Sequence, residues 1–234
     1  MRLMDPDRRR AMYAVYAFCR EVDDIADGQS PTTKKLEQLN QWREEIDRIY
    51  QGRPESDIGS VLLTSINAYK LGKDDFLSII DGMEMDAPEQ FQITDLDQLE
   101  IYCDRVACTV GRLSNAICGI DHGIGHPLAK SLGEALQLTN ILRDIDEDAK
   151  RSHIYLPADL LIKNGYAGGS RMLEIRDPAV PLTCGKISEM ANEKFQSAEV
   201  LLKEIGYRKA RPPRIMMAIY RRYYENVRNG KTSK

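Results

Sequence analysis

The 234 residues contain no apolar run approaching the roughly 18 residues that a bilayer-spanning helix requires. The opening MRLMDPDRRR is basic but leads into no apolar core, so no secretory signal peptide is expected. Five cysteines (Cys19, Cys103, Cys108, Cys118 and Cys184) form no CxxC pair and fall inside apolar patterns. This excludes a zinc ribbon or a disulfide framework and predicts small buried thiols in a reducing, cytoplasmic compartment. Histidine is scarce, with three in all. His122 and His126 stand four apart, but Gly123 and Gly125 between them predict a loop with solvated imidazoles over Gly119–Pro127, and no zinc helix. His153 has no spaced partner. A net charge of −3 leaves no electrostatic footprint for nucleic acid. Period-two alternation of β-branched residues is absent, as is any strand–GxGxxG–helix unit, so neither a sheet nor an NADPH site of that kind is expected.

What remains is helical periodicity almost throughout. Asp5-Pro6 is an N-cap followed by proline at the first helical position, and Gly28 closes that opening helix. Leu36, Leu39, Trp42, Ile46 and Ile49 continue the period, followed by Val61–Tyr69 and by Asp74–Met85, which Gly82 weakens. After Pro88 a long helical region follows Asp95 through Ile117. Others are expected from Leu128 to Asp148, over Ala158–Lys163, from Leu182 to Ile205 and from Pro213 to Arg228. Ser152–Pro157 reads as extended or turning. The expected architecture is all-α, a single domain of about eight helices, and that content names no function by itself.

Chemistry enters through two stripes. Tyr16, Arg20, Asp23 and Asp27 follow at steps of four, three and four, which places them on one helix face. Gln137, Asn140, Asp144 and Asp148 repeat the arrangement at steps of three, four and four on an otherwise apolar helix. Like charges at i,i+4 cost an isolated helix roughly 0.2–0.5 kcal/mol, so each pair invites a cation. Carboxylates with the neutral oxygen of Asn140 suit Mg²⁺, which prefers a few such ligands plus water and phosphate oxygens. Arg20 and Arg143 supply permanently charged forks for phosphate. Two such helices facing across a cavity would hold a Mg²⁺–diphosphate and promote loss of diphosphate as a leaving group.

These residues resemble the squalene/phytoene synthase family, the head-to-head branch of the isoprenoid synthases. YAFCREVDDIAD looks like its first aspartate-rich motif, with Asp23, Asp24 and Asp27 as the acidic set. LQLTNILRDIDEDAKRSHIYLP looks like the second, YCDRVACTVGRLS like the central segment, and RPPRIMMAIYRR like the last helix. The resemblance covers nearly the whole chain and implies the isoprenoid synthase fold around a deep central cavity. It implies that Asp23, Asp27, Asn140 and Asp144, with Asp148, are ligands of several Mg²⁺ ions. It further implies that Tyr16, Arg20, Gln137, Arg143 and Tyr220 contact two molecules of farnesyl diphosphate. The subfamily most similar is bacterial presqualene diphosphate synthase of hopanoid pathways. Phytoene or dehydrosqualene synthase, NADPH-dependent squalene synthase, and a non-catalytic binding relative are the alternatives.

Three departures accompany the likeness. The chain begins almost at the first aspartate helix, without the family's earlier Ser-Phe contact, and it stops soon after Tyr220. Asp104 and Arg105 stand where the family commonly places a tyrosine near the reacting carbons. Arg208, Lys209, Arg211 and Arg214 read as a solvated basic turn, and Ile215, Met216, Met217 and Ile219 as core or cavity wall. Farnesyl chains partition into bilayers, so the substrate alone points to peripheral contact with the inner face of a membrane.

Overall fold

The computed structural model describes residues 4–167 and 173–230. Ten α-helices carry those residues: α1 (Pro6–Asp27), α2 (Thr32–Tyr50), α3 (Asp57–Tyr69), α4 (Lys73–Asp86), α5 (Leu96–Cys103), α6 (Thr109–Cys118), α7 (His122–Lys150), α8 (Ala158–Lys163), α9 (Ala179–Glu204) and α10 (Tyr207–Arg228). A π-helical turn, Asp104–Cys108, joins α5 to α6, and two residues each form β1 (Phe91–Gln92) and β2 (His153–Ile154). The all-α expectation holds. No helix among the described residues is long and apolar enough to cross a membrane.

Local chemistry explains most boundaries. Asp5 accepts the Asp7 and Arg8 amides and caps α1, with Pro6 in its first turn. Ser56, Asp95 and Asp121 cap α3, α5 and α7 in the same way. On the buried face of α1, Phe18 meets Trp42 and Phe76 edge-on, with centroids 5.5 Å and 5.3 Å away. Such contacts each contribute about 0.5–1.5 kcal/mol beyond burial, and they fix α1 against α2 and α4. The long helix α7 lies along α9 and also packs on α6, α10 and the π turn.

Three expectations need correction. Residues 119–127 are not a loop, because α7 already begins at His122. Asp121 caps it through the Gly123 amide, 2.9 Å away, and Asn115 Nδ2 donates to the Gly125 carbonyl at 2.8 Å. Near a helix start Pro127 removes only one ladder bond, and the His122 and His126 rings lie 3.6 Å apart, centroid to centroid, on exposed helix surface. The last helix starts at Tyr207 and carries Pro212 and Pro213 inside it for the same reason. Finally, Asp95–Ile117 is three segments, since the π turn absorbs a residue between α5 and α6.

Gly82 and Gly133 let that turn come close. A Cβ on Gly82 would lie 2.8 Å from Val106 Cγ1, and one on Gly133 would lie 2.8 Å from Cys108 Cα. The cysteines are free, with Cys103, Cys108 and Cys118 buried. Burial pushes the Cys19 and Cys108 thiols up to about 12, so they stay protonated and act as packing groups.

Candidate active site

Where α1 and α7 face each other, one cavity of about 280 Å³ collects Asp23 and Asp27 from α1 with Gln137, Asn140, Arg143, Asp144 and Asp148 from α7. The two stripes therefore converge as their spacing predicts. Burial raises the Asp23 pKa, and the neighbouring Asp27 adds to it. Burial, and then Asp144, raises Asp148 to about 7. Both carboxylates carry negative charge reluctantly, the expected state of a site short of cations.

Arginines partly fill that need. Arg143 grips Asp144 through two bonds, Nε to Oδ1 at 2.7 Å and Nη2 to Oδ2 at 2.6 Å. Arg151, at the end of α7, donates to Asp27 across the cavity. Arg20 pairs with Asp24 at 2.7 Å and more loosely with Asp23 at 3.3 Å. Among the described residues no three acidic, histidine or cysteine side chains converge on one point. Asn140 donates to Gln137 Oε1 at 3.3 Å, while its own buried Oδ1 has no partner among the described residues. A buried carbonyl oxygen left unpaired costs about 1–3 kcal/mol. That orphan, in a wall of carboxylate oxygens, fits a hard divalent cation that takes its remaining ligands from water and phosphate. Asp23, Asp27, Asn140, Asp144 and Asp148 are the residues that could hold it.

Not every expected residue reaches the cavity. Tyr16 is 61% exposed and Arg20 lies outside the lining, on the same face of α1. Tyr220 sits on α10, edge-on to Tyr223 at 5.6 Å, and Tyr223 in turn lies 5.8 Å beneath the Arg143 guanidinium. The last helix therefore meets the site through Arg143.

Conversely, the cavity floor holds residues the stripes do not announce. Asp86, at the end of α4, accepts the Tyr102 hydroxyl at 2.9 Å and the Tyr155 hydroxyl at 2.8 Å. Burial raises its pKa to about 6, against the two phenols that lower it. Tyr102 and Tyr155 stack at 5.0 Å. The parallel pairing of Phe91 with His153 and Gln92 with Ile154 ties the chain after α4 to the chain after α7, which brings this trio together. Asp86 does leave a trace in the sequence, an acid three residues after buried Met83 on the inward face of α4. Arg151 prolongs the α7 stripe by a further step of three. Asp104 lies elsewhere, pairing with Arg112 at 2.8 Å beside Asp75.

The π turn and α7 that line this polar cavity also supply a second, apolar one of about 160 Å³: Ala107 follows Val106 and Leu136 precedes Gln137, and Val110, Gly111, Leu132, Pro213 and Met216 add to its walls. A charged recess adjoining a carbon-lined one suits a ligand with an anionic head and a hydrocarbon tail. The squalene/phytoene synthase profile matches residues 1–232. The chain belongs to the squalene/phytoene synthase family. Membership makes it a prenyltransferase with the isoprenoid synthase fold.

Among relatives, the presqualene diphosphate synthase of Rhodopseudomonas palustris is 42% identical over 220 residues, covering 94% of this chain and 78% of that protein. That of Sinorhizobium fredii is 40% identical over 221 residues, with 94% and 79% covered. A squalene synthase from Alicyclobacillus acidocaldarius superposes with a TM-score of 0.84 at 26% identity, covering 96% of this chain and 84% of that one. A dehydrosqualene synthase solved with a ligand gives the same TM-score and identity, over 98% of this chain and 80% of its own.

Proposed function

We propose that this prenyltransferase joins two molecules of farnesyl diphosphate head to head, forming presqualene diphosphate and releasing diphosphate, as a step toward squalene and hopanoids. The observation that carries the reading is the convergence of the two acidic stripes on one cavity beside a carbon-lined one. Names borne by relatives near 40% identity supply the product class.

In this reading Asp23, Asp27, Asn140, Asp144 and Asp148 hold Mg²⁺ ions. When bound, those ions supply Lewis-acid stabilisation of the leaving diphosphate's charge. Arg143 and Arg20 have forks that suit the diphosphate oxygens, and Tyr223 under Arg143 holds that guanidinium in place. Gln137 faces the substrate from α7, while Tyr16 and Tyr220, which the family resemblance also gives to the substrate, stand outside the walls of the polar cavity. The apolar walls hold a farnesyl chain and keep water from the allylic carbon.

The chemistry balances without an oxidant or reductant. One substrate loses the bond between C1 and its diphosphate oxygen, and the diphosphate leaves with the electron pair. The 2,3-double bond of the second substrate supplies electrons for the new carbon–carbon bond, and loss of one proton from the first substrate's C1 closes the cyclopropane. The second diphosphate stays on the product. The released diphosphate is the proton acceptor in this scheme. NADPH has no role in a redox-neutral step.

Incubation with farnesyl diphosphate and Mg²⁺, with and without NADPH, followed by product identification, tests the proposal. Presqualene diphosphate under both conditions is the expected result. Squalene that appears only with NADPH, dehydrosqualene, or no turnover of farnesyl diphosphate overturns it.

A further inference from the structure

The apolar cavity opens into a second space of about 550 Å³. Met12, Cys118, Pro212 and Met216 belong to the walls of both. The outer walls of this mouth include Arg8, Arg208 and Arg211, together with Tyr207 and Ile215. Around it the face of α10 is unusual. Tyr207, Arg211, Ile215, Ile219 and Tyr223 follow at steps of four, so they form one row along the helix. Tyr207 is 71% exposed, Ile215 48%, and Met216 and Ile219 43% each, instead of forming core. Met216 alone among them also lines the inner cavity.

The charges of the mouth divide into two kinds. Arg8 donates to the Cys118 carbonyl at 2.9 Å and Arg214 to the Leu202 carbonyl at 2.7 Å, so these two fasten the fold. Arg208, Lys209 and Arg211 make no ion pair among the described residues and stand in solvent. Asp5, the acid in the lining, is committed to capping α1. A local excess of positive charge therefore stands on a chain whose net charge is −3.

We propose that this face of α10 docks on an anionic lipid bilayer and sets the mouth of the apolar cavity against the membrane. Free cations interleaved with exposed aromatic and aliphatic side chains match a surface of anionic headgroups over hydrocarbon. The continuity of the mouth with the inner cavity gives the contact a use, which rests on the reading that the cavity carries a prenyl chain. A chain entering or leaving there stays in apolar surroundings.

Sedimentation of the purified chain with vesicles tests this, in the absence of farnesyl diphosphate and Mg²⁺. The chain is expected to bind phosphatidylcholine vesicles that carry phosphatidylglycerol, weakly in high salt, and to bind pure phosphatidylcholine far less. The combined reversal Arg208→Glu, Lys209→Glu and Arg211→Glu is expected to weaken binding about 100-fold. Equal reversals at Arg53, Lys70 and Lys163, away from the mouth, are expected to leave it within about threefold. Circular dichroism shows that each variant is folded. Ile215→Ser with Ile219→Ser weakens the part of the binding that survives salt. Equal binding to both vesicle types, indifference to the α10 reversal, or a soluble dimer that the reversal dissociates overturns the proposal. With no substrate present, failure of the condensation reading and failure of the docking are separate results.

Discussion

The helix α7 serves two cavities of opposite chemistry. Its second half turns Gln137, Asn140, Asp144 and Asp148 to the polar cavity, while Leu128, Leu132 and Leu136 of its first half line the apolar one. The polar cavity is electrostatically unfinished. Three of its acids, Asp23, Asp86 and Asp148, have raised pKa values, three arginines stand against its acidic rim, and the Asn140 oxygen has no partner among the described residues. The apolar cavity is finished in that sense, and its shape is set by close backbone approach at Gly111 and Gly133. Substitutions in the first cavity should therefore cost function and spare the fold, while those around the second should cost the fold.

The sharpest break of this contrast is Asp144→Asn. It removes one proposed ligand and also one member of a repelling pair. Turnover of farnesyl diphosphate is expected to fall about 10³-fold. The melting temperature without metal should change little, because relief of the repulsion on Asp148 is offset by the loss of charge in the Arg143–Asp144 pair. Steady-state kinetics and a thermal melt on one preparation check both halves. Intact turnover would remove this cavity from the chemistry.

On the other side, Gly133→Ala adds one methyl group that meets Cys108 Cα at 2.8 Å and its amide nitrogen at 2.9 Å. Backbone on both sides leaves little room to adjust. A loss of about 1–3 kcal/mol is expected, seen as a lower melting temperature, while Mg²⁺-dependent binding of a farnesyl thiodiphosphate analogue persists in the folded fraction. The floor of the polar cavity lies between these extremes. Tyr155→Phe leaves Asp86 with one phenol in place of two. Removing a donor from a buried carboxylate costs about 1–3 kcal/mol, and a supporting residue of a metal site is worth about 10–100-fold. Both stability and Mg²⁺ affinity, measured by titration, should fall.

The parts legible in the sequence are those set by local spacing. Asp5 and Pro6 start α1 where the capping rule puts them, and the i,i+4 acids of two helices foretell a shared cavity. Asp86 is harder to see because its partners arrive from 16 and 69 residues away, held by a ladder two residues long that carries no periodic signature. Helix geometry also says which face a residue occupies, but not how far along that face a neighbour extends. Tyr16 and Arg20 share the stripe of Asp23 and Asp27 yet stay outside the cavity. Over 119–127, Gly123, Gly125 and Pro127 argue locally for a loop, and the Asp121 cap with the Asn115 bond outweighs them.

The smallest effect expected is the pH dependence of stability, and its sign separates the two cavities cleanly. Asp86 at about 6 and Asp148 at about 7 have folded-state values above the ordinary carboxylate. Between about pH 4 and pH 7 the folded chain therefore keeps protons that the unfolded chain has released. Stability falls wherever the folded state binds more protons, so the metal-free protein should lose stability as pH rises through this window. Water in the open cavity screens the charges and reduces the full linkage to on the order of 1 kcal/mol, or about 2–4 °C in melting temperature. Asp148→Asn should flatten the slope. Mg²⁺ with diphosphate should reverse it, because a ligand that needs ionised carboxylates binds better as they deprotonate. Gly133→Ala should lower the whole curve and leave its slope unchanged, since no titrating group of the polar cavity is touched. A slope that follows Gly133 instead of Asp148 would mean that α7 couples the two cavities as one unit.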